Sequence, residues 1–289
     1  MIQFRLGRLG LDHLAISGFT LRDRGSIELQ IMMEPPAAAV IALKPTQHAK
    51  SRLAVPDPLR RRLAWTMALD TLSALSVPLQ LALVVSDQPA LEAQLRRAGI
   101  AAEVISEPGH GGMNSALSRG ALELRARGFT TVVASVGDLP ALKPESVRRI
   151  LTASRPHRRS FIADASGVGT TILVAHDVEL LPHFGGRSAA AHHASGAMSL
   201  TAEAIGSPIA DARRDVDTEA DLAVAIGMGV GPATSALVDH ERARLGHYEL
   251  ITATQWRNAD GDQLAVTASG RRIVLPAKAL GTELRHARL

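Results

Sequence analysis

The feature that most constrains this chain is an alternation of short, uncharged apolar segments with longer segments of helical character. It begins near residue 39 and continues to about residue 228. The run at 130–136 shows it best, because it is rich in β-branched residues and is bounded by Gly128 and Gly137. A strand without a polar face is expected inside a sheet that is covered on both sides. The alternation therefore predicts an α/β fold, in which a mainly parallel mixed sheet is flanked by helices.

The individual segments follow this pattern. Apolar runs predict strands, and segments opened by Asp-Pro, by glycines or by Lys-Pro-Glu predict helices. Strands are predicted at 40–43, 79–85, 101–105 and 130–136, near residue 161, and at 171–174. Helices are predicted at 57–76, 89–98 and 114–127, from residue 144, shortly after residue 186 and, as the last one, at 218–226.

The two ends of the chain differ from this central region. Residues 1–32 show no clear pattern and are expected to form a poorly ordered extension. Beyond residue 231, three short β-like runs are separated by Asn-Ala-Asp-Gly and Ser-Gly, which are turn sequences. We therefore predict an extension at 1–32, a main α/β domain at 33–238 and a small β-rich appendage at 239–289.

Composition excludes several classes of function. The pI of about 10.1 is high, but the net charge is only +4 and most of the basic excess lies in the two ends. Aromatic residues make up 3% of the chain, which leaves no base-stacking platform, so nucleic acid is an unlikely partner. The lack of cysteine excludes disulfides, thiolate zinc sites and cysteine nucleophiles. No apolar run reaches the roughly 18 residues of a membrane span, so a cytoplasmic protein is expected.

Basic residues follow the first predicted strand. Ligands of open parallel sheets bind at the carboxyl ends of strands, so polar residues in these positions are the first candidates for a site. Lys44 directly follows the strand, and Lys50 and Arg52 lie in the same segment. An ammonium group in this position can contact phosphate oxygens as a point charge. A solvated basic loop is the alternative interpretation.

A glycine-rich loop precedes the helix predicted at 114–127. It includes Gly111 and Gly112 and leads into Asn114. Glycines let a ligand approach the backbone, and the start of a helix offers free N–H donors to an anion, although a plain turn fits the same residues. Two histidines elsewhere in the chain, His192 and His193, match no zinc-binding spacing. They are expected to be exposed or satisfied by hydrogen bonds.

Carboxylates occupy two further candidate positions. Asp138 follows the central strand, where it is well placed to hold Mg²⁺, and a turn-capping role is the alternative. Asp215 and Asp217 are two residues apart, so in an extended segment both face the same side. Helix capping is the alternative there, because Asp217 or Thr218 together with Asp221 resembles a capping box. The two roles are compatible.

Six motifs in a fixed order connect these candidates. They are Val40-Ile41-Ala42-Leu43-Lys44-Pro45 with Ala49-Lys50-Ser51-Arg52-Leu53, Gly112-Met113-Asn114-Ser115-Ala116-Leu117, Gly137-Asp138-Leu139-Pro140, Gly169-Thr170-Thr171, Phe184-Gly185-Gly186-Arg187-Ser188 with His192, and Asp215-Val216-Asp217-Thr218. Together they resemble the 2-phospho-L-lactate or phosphoenolpyruvate guanylyltransferases of coenzyme F-420 biosynthesis. The resemblance covers residues 39 to about 228.

The resemblance implies a nucleotidyltransferase fold of the nucleotide-diphospho-sugar-transferase type that uses GTP and Mg²⁺ and releases pyrophosphate. It implies that Asp138 and Asp217 bind the metal, with Asp215 as a further ligand, and that Lys44 takes part in catalysis. The acceptor's phosphate would be held by Thr170, Gly185 and Ser188. The nucleotide would be bound by Lys50, Arg52, Gly111, Gly112 and Asn114.

The acceptor is expected to be phosphoenolpyruvate, because the Ala- and Arg-rich, Lys-poor composition is similar to that of proteins from GC-rich bacteria, whose family members use this acid. The alternative acceptors are 2-phospho-L-lactate and 3-phospho-D-glycerate. Another nucleotidyl- or glycosyltransferase of the same fold and a non-catalytic binding protein are the alternative functions. The product is expected to pass to a downstream transferase, and a homodimer is among the assemblies left open.

Overall fold

The computed structural model describes residues 35–43, 50, 53, 55–106, 111–245, 248–252, 255–258, 263–266 and 272–275. The chain divides into two units, 1–35 and 36–289, and only Pro35 of the first unit is described. The extension predicted at 1–32 therefore lies outside the described residues.

A mixed sheet of seven strands forms the centre of the second unit, within the residues that the structure describes. The strands are β1 (Ala37–Ala42), β2 (Leu81–Val85), β3 (Glu103–Ile105), β4 (Thr131–Ser135), β5 (Arg159–Ala163), β6 (Thr170–His176) and β7 (Met198–Ser199). Their order is β3-β2-β1-β4-β6-β5-β7. The first four are parallel, β6 runs antiparallel to both β4 and β5, and β7 is parallel to β5. The predicted fold class is confirmed.

Both faces of this sheet are covered, which explains why its central strands lack a polar side. Along β1, Ala39 and Ile41 belong to one core cluster, whereas Ala38 and Val40 belong to the cluster on the other face. Successive side chains of a strand point to opposite faces, so a strand between two cores has no side that faces solvent and is mostly apolar. All five residues of β4 are buried for the same reason.

Nine helices are found in the described part of the chain. They are α1 (Asp57–Ser76), α2 (Leu91–Arg97), α3 (Gly112–Ala126), α4 (Pro144–Ser154), α5 (Ser188–Ala194), α6 (Ala202–Ile205), α7 (Ala210–Arg213), α8 (Glu219–Met228) and α9 (Pro232–Leu245). The bounds predicted for α1 agree with the structure, and α4 begins at its predicted proline. No single described helix is long and apolar enough to cross a bilayer, although α8 and the first part of α9 pass that test as a pair bent by 117°.

The expectation that α8 is the last helix is wrong, because α9 follows it. Its start is stabilised from elsewhere in the chain: the carboxylate of Asp70 in α1 accepts hydrogen bonds from the N–H groups of Ala233 at 3.0 Å and Thr234 at 2.8 Å. Such a cap satisfies donors that a helix leaves free at its first turn. The predicted domain boundary after residue 238 falls inside α9, and the division into three parts stays a prediction.

The C-terminal β-like runs form a second sheet. Its strands are β8 (Tyr248–Thr252), β9 (Gln255–Asn258), β10 (Gln263–Val266) and β11 (Arg272–Leu275). Each pairs antiparallel with the next along the chain. The sequence predicted strands in this region, and the segments between them contain the predicted turn sequences, which lie outside the described residues.

Candidate active site

A cavity of about 750 Å³ lies at the carboxyl edge of the seven-stranded sheet. Its walls come from the ends of β1, β4 and β5, from α1, and from the segments that precede α5 and α8. The described lining residues are Ala42, Leu43, Lys50, Ala64, Trp65, Ala68, Gln88, Met113, Val136, Gly137, Asp138, Asp164, Ser166, Val168, Gly169, Thr170, Phe184, Gly185, Gly186, Ser188, Asp215 and Asp217. Seven of the predicted site residues are among them.

Asp138 is held at the end of β4 by hydrogen bonds of its own loop. The N–H of Val216 donates to the carbonyl of Asp138 at 3.1 Å. The N–H of the next residue, Leu139, donates to the hydroxyl of Thr71 in α1 at 3.0 Å, and Leu139 itself is fully buried. The loop is therefore fixed by hydrogen bonds of its backbone, which do not involve the carboxylate of Asp138.

The segment before α8 brings two carboxylates to the same cavity. Val216 is fully buried in a small core cluster, and its neighbours Asp215 and Asp217 both line the cavity. The helix that follows is capped by Thr218, whose hydroxyl accepts from the N–H of Asp221, while the carboxylate of Asp221 accepts from the N–H of Thr218. The capping box is thus formed by Thr218 and Asp221, and Asp217 lies outside it.

Lys50 forms ion pairs with two of the aspartates. Its ammonium group donates to the carboxylate of Asp138 and, at 2.7 Å, to that of Asp217. Burial lowers the pKa of Lys50, but the attraction of Asp138 and Asp217 outweighs it, so the net shift is upward. Lys50 is therefore a positively charged group in the acidic part of the cavity.

Among the described lining residues, one ammonium group faces four carboxylates and does not neutralise them. Burial raises the pKa of Asp215 to about 6, and the charges of Asp138, Asp217 and Asp164 contribute in the same direction. In addition, Oδ1 of Asp138 is buried and has no hydrogen-bond partner among the residues that the structure describes. A buried carboxylate oxygen without a partner has the capacity to bind a further donor or cation.

The described acidic residues of the cavity do not by themselves surround a single ion. Within the described residues, no three His, Asp or Glu side chains are close enough together to hold an ion by themselves. Asp138 and Asp217 nevertheless both contact one cationic group, that of Lys50. The arrangement offers two carboxylates to a single cation, and further ligands would have to come from elsewhere.

A different set of groups lies in the same cavity. Thr170 stands at the start of β6 and is 6% exposed, and Ser188 is the first residue of α5 and is 2% exposed. Between them in sequence, Gly185 adopts a φ of 101°, which is unfavourable for a residue with a side chain. A hydroxyl, a glycine backbone and a helix-terminal serine together can donate several hydrogen bonds to one anion.

The loop before Gly185 is fixed on two sides. The side chain of Asn114 accepts from the N–H of Phe184 at 2.8 Å and donates to its carbonyl at 3.0 Å. Nε2 of His192 accepts from the N–H of His183 at 2.9 Å. His192 is fully buried, and His193, which the sequence grouped with it, is exposed. Asn114 thus holds the loop that carries Gly185.

The predicted nucleotide-binding residues are only partly brought together. Lys50 lines the cavity, whereas Gly111, Gly112 and Asn114 are not among its described lining residues. Arg52 lies outside the described residues, as does Lys44, whose predicted role is catalytic. A nucleotide-binding role for these residues stays a prediction.

Sequence reasoning missed several lining residues. Asp164 follows β5 at the same edge of the sheet as Asp138, so the rule that selected Asp138 would have selected it too. Trp65 lies within α1, and Gln88 lies two residues beyond Ser86, after β2. No pattern in the sequence marks Trp65, because only the packing of α1 shows which of its sides meets the cavity.

Comparisons with known proteins give the family. The family model described as guanylyl transferase CofC like matches residues 37–238. A phosphoenolpyruvate guanylyltransferase of Streptomyces coelicolor is 44% identical over 204 residues, which is 68% of this chain and 93% of that protein. One from Frankia casuarinae is 36% identical over 272 residues, covering 85% of this chain and 89% of that protein.

Solved structures agree on the fold. A Desulfovibrio desulfuricans G20 protein, whose crystal structure is named for the nucleotide-diphospho-sugar transferases, superposes with a TM-score of 0.53. It is 14% identical, and the match covers 72% of this chain and 95% of that one. At this identity the likeness supports the architecture alone. The resemblance inferred from the six motifs is confirmed by the family model and by the relatives, and the chain belongs to the CofC-like guanylyl transferase family.

Proposed function

We propose that this chain transfers the GMP part of GTP to phosphoenolpyruvate in coenzyme F-420 biosynthesis. A phosphate oxygen of the acid attacks the α-phosphorus of GTP, the bond from that phosphorus to the bridging oxygen breaks, and pyrophosphate leaves with the bond electrons. The product is enolpyruvoyl-2-diphospho-5'-guanosine, which would pass to a downstream transferase. The relatives that carry the name phosphoenolpyruvate guanylyltransferase support this choice of acceptor.

The observation that carries the proposal is the chemistry of the cavity. One set of lining groups consists of carboxylates with a lysine, and another consists of hydroxyls with a glycine backbone. The first set suits a cation and a polyphosphate, and the second suits a phosphate monoester. A reaction between two phosphorylated substrates needs both in one cavity, because its main requirement is to bring two polyanions together.

The carboxylates fit Mg²⁺. Asp138 has a buried oxygen without a partner, and Asp138 and Asp217 already share one cationic neighbour. Mg²⁺ prefers hard oxygen ligands and is commonly bound by one or two carboxylates together with substrate phosphates. We assign Asp138 and Asp217 to the metal, with Asp215 as a further ligand. When bound, the ion supplies positive charge that offsets the charge of the triphosphate.

The chain's own residues then have separate tasks. Thr170, Gly185 and Ser188 hold the phosphate of the acid by hydrogen bonds, which orients its attacking oxygen. Lys50 places a positive charge beside the nucleotide's phosphates, and we assign Lys44 and Arg52 to the same task. No general base is required, because the attacking phosphate is already anionic. Catalysis rests on positioning and on charge neutralisation.

A product assay tests the proposal. The protein is incubated with GTP, Mg²⁺ and phosphoenolpyruvate, 2-phospho-L-lactate or 3-phospho-D-glycerate, and the products are identified by mass spectrometry. We expect the enolpyruvoyl product to predominate when the three acids compete at equal concentration. A difference of one small group in a pocket is worth about 1–3 kcal/mol, so some product from the other acids is expected. A predominant phospholactyl or phosphoglyceryl product would refute the acceptor, and no guanylylated product would refute the activity.

A further inference from the structure

A buried histidine lies beside Thr170, Gly185 and Ser188, the residues assigned to the acid's phosphate and called the cradle from here on, and both of its ring nitrogens form contacts. His192 lies in α5 with no exposed surface, and its ring packs against those of Phe161, His183 and Phe184 at centroid distances of 5.3–5.8 Å. Nδ1 lies 2.9 Å from the hydroxyl of Thr170, and Nε2 accepts from the N–H of His183 at 2.9 Å. One nitrogen therefore faces a residue of the cradle, and the other faces the loop that carries Gly185.

These contacts decide where the proton of the ring is. A backbone N–H can only donate, so the bond from His183 requires a lone pair on Nε2. Burial, followed by the nearby His183, lowers the pKa of His192 to about 4 against the smaller opposing effect of a hydrogen bond to the backbone of Ser188, so the ring is neutral near pH 7. A neutral imidazole carries one N–H, which must then be on Nδ1.

The tautomer fixes the role of the threonine hydroxyl. With a proton on Nδ1, the ring donates to Thr170, and the hydroxyl oxygen is the acceptor in that bond. The hydroxyl proton of Thr170 cannot point at the ring and is available to a group in the cavity, which Thr170 lines. A phosphate offers only hydrogen-bond acceptors, so a hydroxyl that donates into the cavity is the group that a phosphate needs.

We propose that His192 is a positioning residue for the acceptor acid, which fixes the Thr170 hydroxyl as a hydrogen-bond donor to the acid's phosphate. This inference rests on the proposed function, since it takes Thr170 to contact that phosphate. Through Nε2, His192 also anchors the N–H of His183, while Asn114 anchors the next residue. One side chain thus connects the hydroxyl of the cradle to the loop that carries its glycine.

Two substitutions separate the nitrogens of the ring. The amide of asparagine reaches about as far as Nδ1, so His192→Asn keeps a donor for Thr170 and loses the acceptor for His183. The amide of glutamine reaches about as far as Nε2, so His192→Gln keeps the acceptor and loses the donor. We expect His192→Gln to raise the KM for phosphoenolpyruvate about tenfold and His192→Asn to raise it less than about threefold. The KM for GTP should change less than about twofold in both.

A double-mutant cycle tests whether His192 acts through Thr170. Thr170→Val removes the hydroxyl and should raise the KM for the acid about tenfold. In that background, His192→Gln should change the KM less than about twofold further, because the hydroxyl that it positions is gone. Independent, multiplying effects would overturn the proposal, as would equal effects of the Asn and Gln variants on the acid.

His176 provides the matched control. It is a part-buried histidine whose Nδ1 lies 2.9 Å from the hydroxyl of Thr131 and whose Nε2 lies 2.9 Å from that of Ser154, and it ends β6 at the opposite edge of the sheet. His176→Gln should lower the melting temperature as a buried polar change does, without altering the KM for the acid. If His176→Gln raised that KM as much as His192→Gln, the effect would be one of general stability and the proposal would fail.

The wild-type protein gives a measurement that needs neither variants nor turnover. Nitrogen-15 NMR of histidine-labelled protein distinguishes the two neutral tautomers. We expect the Nδ1-protonated form of His192, unchanged between about pH 6 and pH 8. An Nε2-protonated ring, or one that gains a proton in this range, would overturn the inference. Absence of any guanylylated product from the wild-type protein would refute the proposed function, whatever the tautomer.

Discussion

Two carboxylates in this structure, Asp70 and Asp138, are both largely buried but are bound very differently. Asp70 is 4% exposed, and its two oxygens accept from the N–H groups of Ala233 and Thr234 at the start of α9. Asp138 has an 18% exposed side chain, with one oxygen bound to Lys50 and the other buried without a partner in the described part of the chain. The first carboxylate is saturated by the fold, and the second is not.

The difference separates structural from functional burial of charge. A buried polar atom without a partner costs about 1–3 kcal/mol, so it persists only where something else compensates. Asp70 satisfies two N–H groups that α9 would otherwise leave free, and this stabilises the native fold. One carboxylate oxygen of Asp138 stays available as a hydrogen-bond acceptor or ligand at the edge of a cavity, where a bound cation would satisfy it.

The regions around Asp70 and Asp138 are nevertheless connected through the backbone. The N–H of Gly231, just before α9, donates to the carbonyl of Pro140 at 2.8 Å. Pro140 belongs to the loop that carries Asp138. The contact between Asp70 of α1 and the start of α9, called the junction below, therefore supports the position of that loop. Substitutions can show how far the stability of the junction and the chemistry of the site are separable.

The largest expected effect is on catalysis at the site. Asp138→Asn should lower kcat about 10²- to 10³-fold, the cost typical of removing one preorganised electrostatic group. The free energy of unfolding should fall by no more than about 1 kcal/mol, because Oδ1 has no hydrogen bond to lose and Asp217 still pairs with Lys50. Turnover at saturating Mg²⁺ and urea unfolding measure the two quantities. Near wild-type turnover would remove Asp138 from the catalytic groups.

The corresponding change at the junction should have the opposite profile. Asp70→Asn replaces one acceptor by an NH₂ group that faces a backbone N–H, and it removes the negative charge from the start of α9. We expect a loss of about 2–3 kcal/mol in the free energy of unfolding. Turnover per folded molecule should stay close to that of the wild type. If Asp70→Asn abolished turnover while the protein stayed folded, the two regions would not be separable.

A smaller effect is expected at Gly231, which lies against Asp70. A Cβ at this position would overlap the carboxylate of Asp70, so Gly231→Ala forces one of the two to move. Overpacking of this kind costs about 1–3 kcal/mol. The cost should shrink in an Asp70→Ala background, because the overlapping carboxylate is then absent. Equal costs in the two backgrounds, measured by chemical unfolding, would show that Gly231 is required for another reason.

Much of the site region could be predicted from the sequence because its signals are local. The apolar run of β4 is followed directly by Gly137 and Asp138, so a strand pattern and a rule about strand ends together locate the carboxylate. The alternation around Val216 likewise brings Asp215 and Asp217 to one cavity. The choice between a metal-facing and a capping role for Asp217 was open in sequence, since only the structure shows that Thr218 forms the cap.

The junction could not be predicted in the same way. Asp70 stands in an apolar stretch of α1, but its partner Thr234 lies 164 residues further along the chain. The residues of α9 show no clear apolar face, so the pattern there did not predict a helix. Its start is capped by a carboxylate from a distant part of the chain, which no local pattern reveals. His192 is a similar case, because its partners Thr170 and His183 meet it only in the folded chain.

The adjacent residues Asp217 and Thr218 provide a second comparison between a site position and a structural position. Thr218→Ala removes the cap of α8 and should cost about 1 kcal/mol of stability with turnover retained. Asp217→Asn, one position earlier, should lower turnover and leave the melting temperature nearly unchanged, because Asp217 is not part of the capping box. Thermal unfolding and kcat of the two variants, measured side by side, provide the test. A stability loss at Asp217 equal to that at Thr218 would contradict this separation.

The smallest effect is expected from the end of α9, where the structural region runs past the predicted domain boundary. A chain that stops after Leu245 keeps all of α9 and should retain wild-type turnover and stability. A chain that stops after Val238 keeps the cap by Asp70 and the buried Leu237, but it loses the ion pair between Arg62 and Glu241 at 2.9 Å. Arg62 is about half exposed, and pairs of this kind are worth about 0.2–1 kcal/mol, so only a small loss of stability should separate the two truncations.

The matched control is Glu241→Gln in the full chain, which removes the pair without shortening the helix. If the chain ending at Val238 were inactive while Glu241→Gln and the chain ending at Leu245 behaved like the wild type, the last two turns of α9 would contribute to the site. If both truncated chains were inactive, the part after Leu245 would contribute, and the separation between the regions of Asp70 and Asp138 would no longer hold.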